Sequence, residues 1–309
     1  MQKTKVVNGN IRRPEPNQKP RENKRVASRT QSQEIWRRLK KNKAAMIGLV
    51  FLILLATVAI SGDLIFDYET DVIQMNPSIK LQPPSKDNWF GTDNFGRDIF
   101  ARVLYGSRYS VFIGVGSVAI GLILGVFTGA LAGYYGGVID QIVMRANDIL
   151  YAIPNIMIAV VIVSLFGTST VNLLLALCVT VATSFTRIAR SSVMTVRGEE
   201  YVEAAYAMGL PTWKIILKHI LPNCLSPIIV QTTLAIGTTI IAASSLSFLG
   251  IGVPSPTPEW GAMLSEGRNY MRNSAYMCVI PGVAIMLTVL ALNLLGDGLR
   301  DALDPKLKK

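Results

Sequence analysis

Histidine is almost missing from this chain: among 309 residues there is one, His219. That count excludes a multi-histidine metal centre or proton relay. Cysteine is scarce as well. Cys178, Cys224 and Cys278 lie in or beside apolar blocks and form no CxxC pair, so the odd number and the spacing give neither a disulfide framework nor a zinc site. No HExxH, GxSxG or GxxxxGK[ST] sequence occurs. The nearest approach to a phosphate loop, residues 91–98 (GTDNFGRD), has the glycine spacing. It lacks the Lys and the Ser/Thr that phosphate and magnesium require. Charge within the apolar blocks is rare, which argues against a carrier coupled to protons through intramembrane Asp, Glu or His. No secretory signal with a cleavage site opens the chain, and the first apolar block is expected to stay as an uncleaved anchor.

Hydrophobic residues, by contrast, make up 50% of the chain, and mean hydropathy is +0.38. The apolar residues fall in blocks of membrane-spanning length, about 20 residues each. Six spans are expected, near residues 44–61, 110–132, 149–166, 171–186, 225–249 and 276–295. The net charge of +11 is uneven: 14 Lys or Arg precede Ala44, against three acidic residues. Such a bias holds a terminus in the cytoplasm. A basic excess is also the footprint of nucleic-acid binding, but here it abuts a membrane span, and no nucleic-acid partner is expected. Residues 1–32 are too polar to offset ordering entropy and read as a disordered basic cytoplasmic tail. Residues 33–43 (QEIWRRLKKNK) read as an amphipathic lead-in at the headgroup layer.

The second span carries Ser117, Gly121, Gly125, Gly129 and Gly133 at intervals of four. That spacing makes one small-residue helix face, suited to close helix packing or to lining a conduit. Pro154 and Pro281 should disturb their helices, either beside a cavity or as packed kinks. Outside the spans, Asp93, Arg97 and Asp98 are expected to cap and ion-pair locally, with contact to an extracytoplasmic partner as the other reading.

The longest inward loop, residues 197–222, has the most pattern. EEYVEAAYAM (199–208) is a good helix with acidic residues in its first turn. Gly209 can end it in a left-handed turn. After Pro211, Trp213, Ile216, Leu217, Ile220 and Leu221 form an apolar stripe. Pattern alone leaves an interfacial helix on lipid and a docking element for a cytosolic partner both open.

Glu203-Ala204-Ala205, then Gly209, then Leu221-Pro222 resembles the EAA–G–LP motif of binding-protein-dependent ABC permeases in type and spacing. His219, where isoleucine is common, resembles the oligopeptide/dipeptide/nickel branch. Residues 90–108 (FGTDNFGRDIFARVLYGSR), 133–154, 248–264 (FLGIGVPSPTPEWGAML) and 296–309 are similar to segments of the C-type permease of that branch. The resemblance runs from about Gln33 to the end.

That resemblance implies an all-α integral membrane fold, a type I ABC importer permease with six transmembrane helices. The organisation would be a tail at 1–32, then lead-in, first span and outer loop at 33–107. The permease domain would follow at 108–298 with coupling loop 197–222, and a cytoplasmic tail at 299–309. It implies a bacterial inner-membrane protein with both termini cytoplasmic. The partners would be a sister permease in a heterodimer, two ABC ATPases and an extracytoplasmic solute-binding protein. ATP would bind the ATPases, leaving this chain with no cofactor, metal or catalytic residue. Glu203, Ala204, Ala205 and Gly209 would couple to an ATPase, and Leu221 and Pro222 would set the loop's exit into the fifth span. The expected substrates are di- and oligopeptides. Nickel, glutathione or a peptide antibiotic on the same machine, or a membrane interaction or sensor role without transport, are the competing readings.

Overall fold

A computed structural model describes residues 31–303. The expected disordered tail lies outside the described residues except for its last two positions, and so do residues 304–309 of the carboxy-terminal tail. The described chain is helical: α1 (Gln31–Lys41), α2 (Lys43–Ile65), α3 (Ile99–Tyr135), α4 (Gly137–Ala152), α5 (Asn155–Phe166), α6 (Thr170–Arg197), α7 (Glu200–Ala207), α8 (Thr212–Lys214), α9 (Leu225–Phe248), α10 (Trp260–Gly267) and α11 (Tyr276–Leu303). A π turn (Ile215–Ile220) and a 3-10 turn (Leu221–Cys224) join α8 to α9.

Caps explain the helix starts. The Asn42 side chain accepts from the Ala45 N–H at 3.1 Å, Asp98 from Phe100 N–H at 2.8 Å and Ser169 from Asn172 N–H at 3.1 Å. Each satisfies an N–H that the helix cannot. The lead-in α1 does form, and it packs Ile35 and Leu39 against Ala45, Leu299 and Ala302. It is therefore fastened to the end of α11, which continues past residue 298 to Leu303.

Five helices are long and apolar enough to cross a membrane, and the α4–α5 pair supplies the sixth crossing only as a broken one. The span expected at 149–166 with Pro154 disturbing it is here a full break between two helices. The two helices meet at 88°, because Pro154 has no N–H to give and pushes Ile153 to extended backbone (φ −88°, ψ 129°). The 12 residues of α5 reach only about 18 Å at 1.5 Å per residue. Pro281 is milder. It is the sixth residue of α11, which runs on unbroken.

The glycine face of α3 is a packing seam. A Cβ on Gly121 would come within 2.6 Å of Val181, one on Gly125 within 2.5 Å of Phe185 Cβ, and one on Gly133 within 2.7 Å of the Arg190 carbonyl oxygen. Gly129 lies equally tight against Thr186. Ser117 continues the line by donating to the Leu174 carbonyl at 3.0 Å. These positions carry glycine because the α6 backbone occupies the space a side chain would need. Of the two readings of this face, close packing is the one realised.

Candidate functional site

The 197–222 loop stands at the end of the bundle where α6 finishes. Ionic contacts brace that end: Arg190 forks onto Asp140, and Arg187 meets Asp148 at 2.8 Å while stacking 4.0 Å over Tyr151. α7 then presents two unlike faces. Val202 and Ala205 are buried with Phe185, Ile215, Ile216 and Ile220 in one apolar cluster. Glu203, Ala204, Tyr206 and Met208 point away from it, and Tyr206 is 73% exposed. Tyr134, Tyr135, Arg197, Val202, Glu203 and Tyr206 line a cleft of about 600 Å³ beside the helix. Burial pushes the Tyr201 phenol up from its usual range.

The chain leaves α7 through Gly209 at φ +74°, a left-handed turn with nothing within 4 Å of a would-be Cβ. Backbone conformation, rather than space, calls for glycine there. So Glu203, Ala204 and Gly209 are at the surface, whereas Ala205, 1% exposed, is committed to this chain's own core. Leu221 is half-buried against the same cluster, and Pro222 is exposed in the 3-10 turn that enters α9.

The apolar stripe after Pro211 is a correction in register. Ile215, Ile216 and Ile220 are buried, while Trp213 (59%) and Leu217 (56%) are exposed. The cause is the π turn, in which the Leu221 N–H bonds the Ile216 carbonyl five residues back. A wider turn stacks i on i+5, so Ile215 aligns with Ile220 and Trp213 swings outward.

At the opposite end, where α3 begins, the structure brings together charges far apart in sequence. Arg97 contacts Asp93 and Glu266 at 2.6 Å each, and Arg102 contacts the same two carboxylates at 3.6 and 3.3 Å. Both arginines are essentially fully buried. Ser255 donates to the other oxygen of Glu266 at 2.8 Å. Beside this cluster, Glu259 is fully buried, caps α10 through Ala262 N–H at 2.8 Å and meets Ser110 and Ser244. Two cations facing two anions fasten the 66–98 loop, the start of α3 and the α10 segment into one unit. Asp93, Arg97 and Asp98 thus cap and pair within the chain. Asp98 is the helix cap, and burial holds its carboxyl above the usual range. Glu266 and Arg102 were not singled out from sequence. Arg102 inside an apolar stretch was the available signal, since such a cation needs a partner. Among the described residues no group of three or more His, Cys, Asp or Glu is placed to hold a metal ion.

A helical bundle with five spanning helices and a broken sixth, glycine-packed and without an assembled catalytic centre among the described residues, has the architecture of a multi-pass permease. The family is carried by sequence. Residues 121–309 match the model for the binding-protein-dependent transport system inner membrane component, and residues 30–84 match that for the N-terminal membrane domain of oligopeptide transport permease C. The chain belongs to this family of inner-membrane permeases, in the oligopeptide permease C type. It is 45% identical to the dipeptide transport system permease protein DppC of Alkalihalophilus pseudofirmus over 96% of both chains. It is 42% identical to the glutathione transport system permease protein GsiD of Pectobacterium atrosepticum, over 91% of this chain and 93% of that one. The fold is shared with a chain of the MetNI methionine ABC transporter in inward-facing form, at a TM-score of 0.55 and 18% identity, covering 66% of this chain and 97% of that one. As a member of this family the chain is the membrane component of a binding-protein-dependent ABC transporter. It works with an ATPase and a binding protein, and is not itself the ATPase.

Proposed function

We propose that this chain is one half of the translocation channel of a dipeptide importer, with the 197–222 loop as its coupling element. The observation that carries the coupling assignment is the split character of α7. Val202 and Ala205 anchor it to the bundle, while Glu203 and Ala204 stand free beside a left-handed Gly209. A helix so anchored moves as a rigid body with whatever it docks on, and passes that motion to α6 and α9. Its partners are a sister permease, two cytosolic ATPases and an extracytoplasmic binding protein. The 14 basic residues before Ala44 favour a cytoplasmic amino terminus, and six crossings return the carboxy terminus to the same side. ATP closes the ATPases, the docked loops follow, and the bundle turns outward to receive substrate. Hydrolysis returns it inward.

Dipeptide is the leading substrate on the 45% relative, and glutathione is the second reading on the relatives at 42–44%. The test is ATP-dependent uptake of labelled di-, tri- and pentapeptides, glutathione and nickel in cells with and without this gene. Dipeptide uptake lost on deletion and restored by the gene is expected. Loss confined to glutathione would select the second reading, loss confined to nickel would displace both, and no loss at all would defeat the importer reading.

A further inference from the structure

Between α5, α6 and α9 lies a cavity of about 140 Å³. Its wall includes Asn155, Thr180, Ser184, Gln231, Thr238 and Thr239, and none of the residues lining it is charged. Thr238 and Thr239 are near the middle of α9 (Leu225–Phe248), so the cavity reaches mid-span, while Ser184 lines it toward the inner end of the apolar part of α6, three residues before Arg187. Uncharged polar side chains clustered at that depth need a reason, because hydrocarbon does not satisfy them.

Some are already satisfied. Thr180 donates to the Leu177 carbonyl at 2.8 Å, and Thr238 donates to the Ala235 carbonyl at 3.1 Å. Others are not: among the described residues, the side chains of Asn155, Ser184, Gln231 and Thr239 have no hydrogen-bond partner. Thr239 is the telling one. The residue as a whole is 4% exposed, and it borders the cavity. Asn155 is there because Pro154 breaks the helix. The α4–α5 bend opens the wall at this depth and sets the start of α5 beside it. Broken helices at mid-membrane are tolerated where they line a cavity.

The chemistry of the wall selects its ligand. Asn155 and Gln231 each offer an acceptor and two donors, and Ser184 and Thr239 each donate and accept. A carboxylate or ammonium would meet no opposite charge in this wall, so the charged termini of a dipeptide belong at the open side of the cavity. A secondary amide, with one N–H and one C=O, matches such a mixed neutral set. We infer that this cavity is a way-station for the substrate's peptide bond, held by Gln231 and Thr239 with Ser184 and Asn155, so that backbone rather than side chain is read at mid-membrane. The inference rests on the importer reading and deepens it.

The test is uptake by the complete transporter in a deletion strain, with labelled Ala-Ala, Lys-Ala, Glu-Ala and glutathione as probes. The variants are Thr239→Val, which keeps shape and removes the hydroxyl, and Gln231→Leu. Each should lower uptake of a carried probe by about tenfold, the worth of one hydrogen bond. The fold loss should be the same for Ala-Ala, Lys-Ala and Glu-Ala. Binding-protein-stimulated ATP hydrolysis by the purified complex should persist, which separates a lost contact from a misfolded bundle. An Ala-Ala analogue with an N-methylated peptide bond should be carried poorly by the unaltered protein and little worse by the variants. Uptake at the unaltered rate in both variants, or losses that follow probe charge, would overturn the inference and leave the importer reading standing. An unaltered protein that carries none of the probes would remove both together.

Discussion

Glu266 holds two buried arginines with one carboxylate. One oxygen accepts from Arg97 and Arg102 at 2.6 and 3.3 Å, and the other takes the Ser255 hydroxyl. Its replacement by Gln leaves Asp93 facing two guanidinium groups. Breaking a buried pair in this way costs about 3–5 kcal/mol, since the orphaned charge stays desolvated. Glu266→Gln is therefore expected to lower the thermal midpoint of the detergent-solubilised complex by several degrees. Ser255→Ala, which removes one neutral donor, should cost about 1 kcal/mol. Equal midpoints for Glu266→Gln and the unaltered protein would mean the cluster contributes no net stability. The cluster also marks where sequence reading stops at this scale. Asp93 and Arg97 are four residues apart, so their pairing was legible. Arg97 and Glu266 are separated by 169 positions, and only the folded chain brings them together.

Helices long enough to span were legible because a bilayer imposes both length and apolarity on them. Caps were legible at Asp98 and Gly209, where residue type dictates local backbone. The disturbance at Pro154 was legible but its 88° extent was not, and the π turn that rotates Trp213 outward has a local cause that hydropathy does not record. The α3–α6 seam is the most extensive helix–helix contact among the described residues, and its spacing of four is plain in the sequence. Gly125→Leu would drive a side chain into Phe185 and the Ala182 carbonyl, where even a Cβ comes within 2.5 Å. Overpacking of a tight core costs about 1–3 kcal/mol, and here the clash involves backbone that cannot step aside. The variant should insert yet give reduced levels of assembled complex, read by co-purification with the sister permease. Gly137→Leu, which meets nothing within 4 Å but sits at φ +54°, isolates the backbone penalty. It should leave the seam intact. Normal assembly of Gly125→Leu would show that α3 and α6 can separate without loss.

At the scale of the whole molecule, transport requires that force applied at one end reach a cavity in the middle. The loop carrying Glu203 is anchored by Val202 and Ala205 to the cluster that contains Phe185 and Ile228. Those residues belong to α6 and α9, two of the helices that wall the mid-span cavity. Under the coupling role proposed above, a push on α7 is delivered to the cavity through these packed side chains, since packed elements shift between discrete arrangements instead of deforming smoothly. Glu203→Lys reverses the charge on the exposed side and leaves the anchoring side untouched. Gly209→Pro instead strikes the hinge, because proline holds φ near −65° and this position needs +74°. Both should insert and pair with the sister permease normally. Glu203→Lys should lose the ATPases on purification, with uptake falling about tenfold or more, as for a like-charge pair at an interface. Gly209→Pro should keep some ATPase but uncouple it, so that hydrolysis continues while uptake falls. Retained uptake in both variants would sink the coupling role of this loop. Loss of ATPase binding in Gly209→Pro alone would shift that role from the charge of Glu203 to the path of the backbone beyond it.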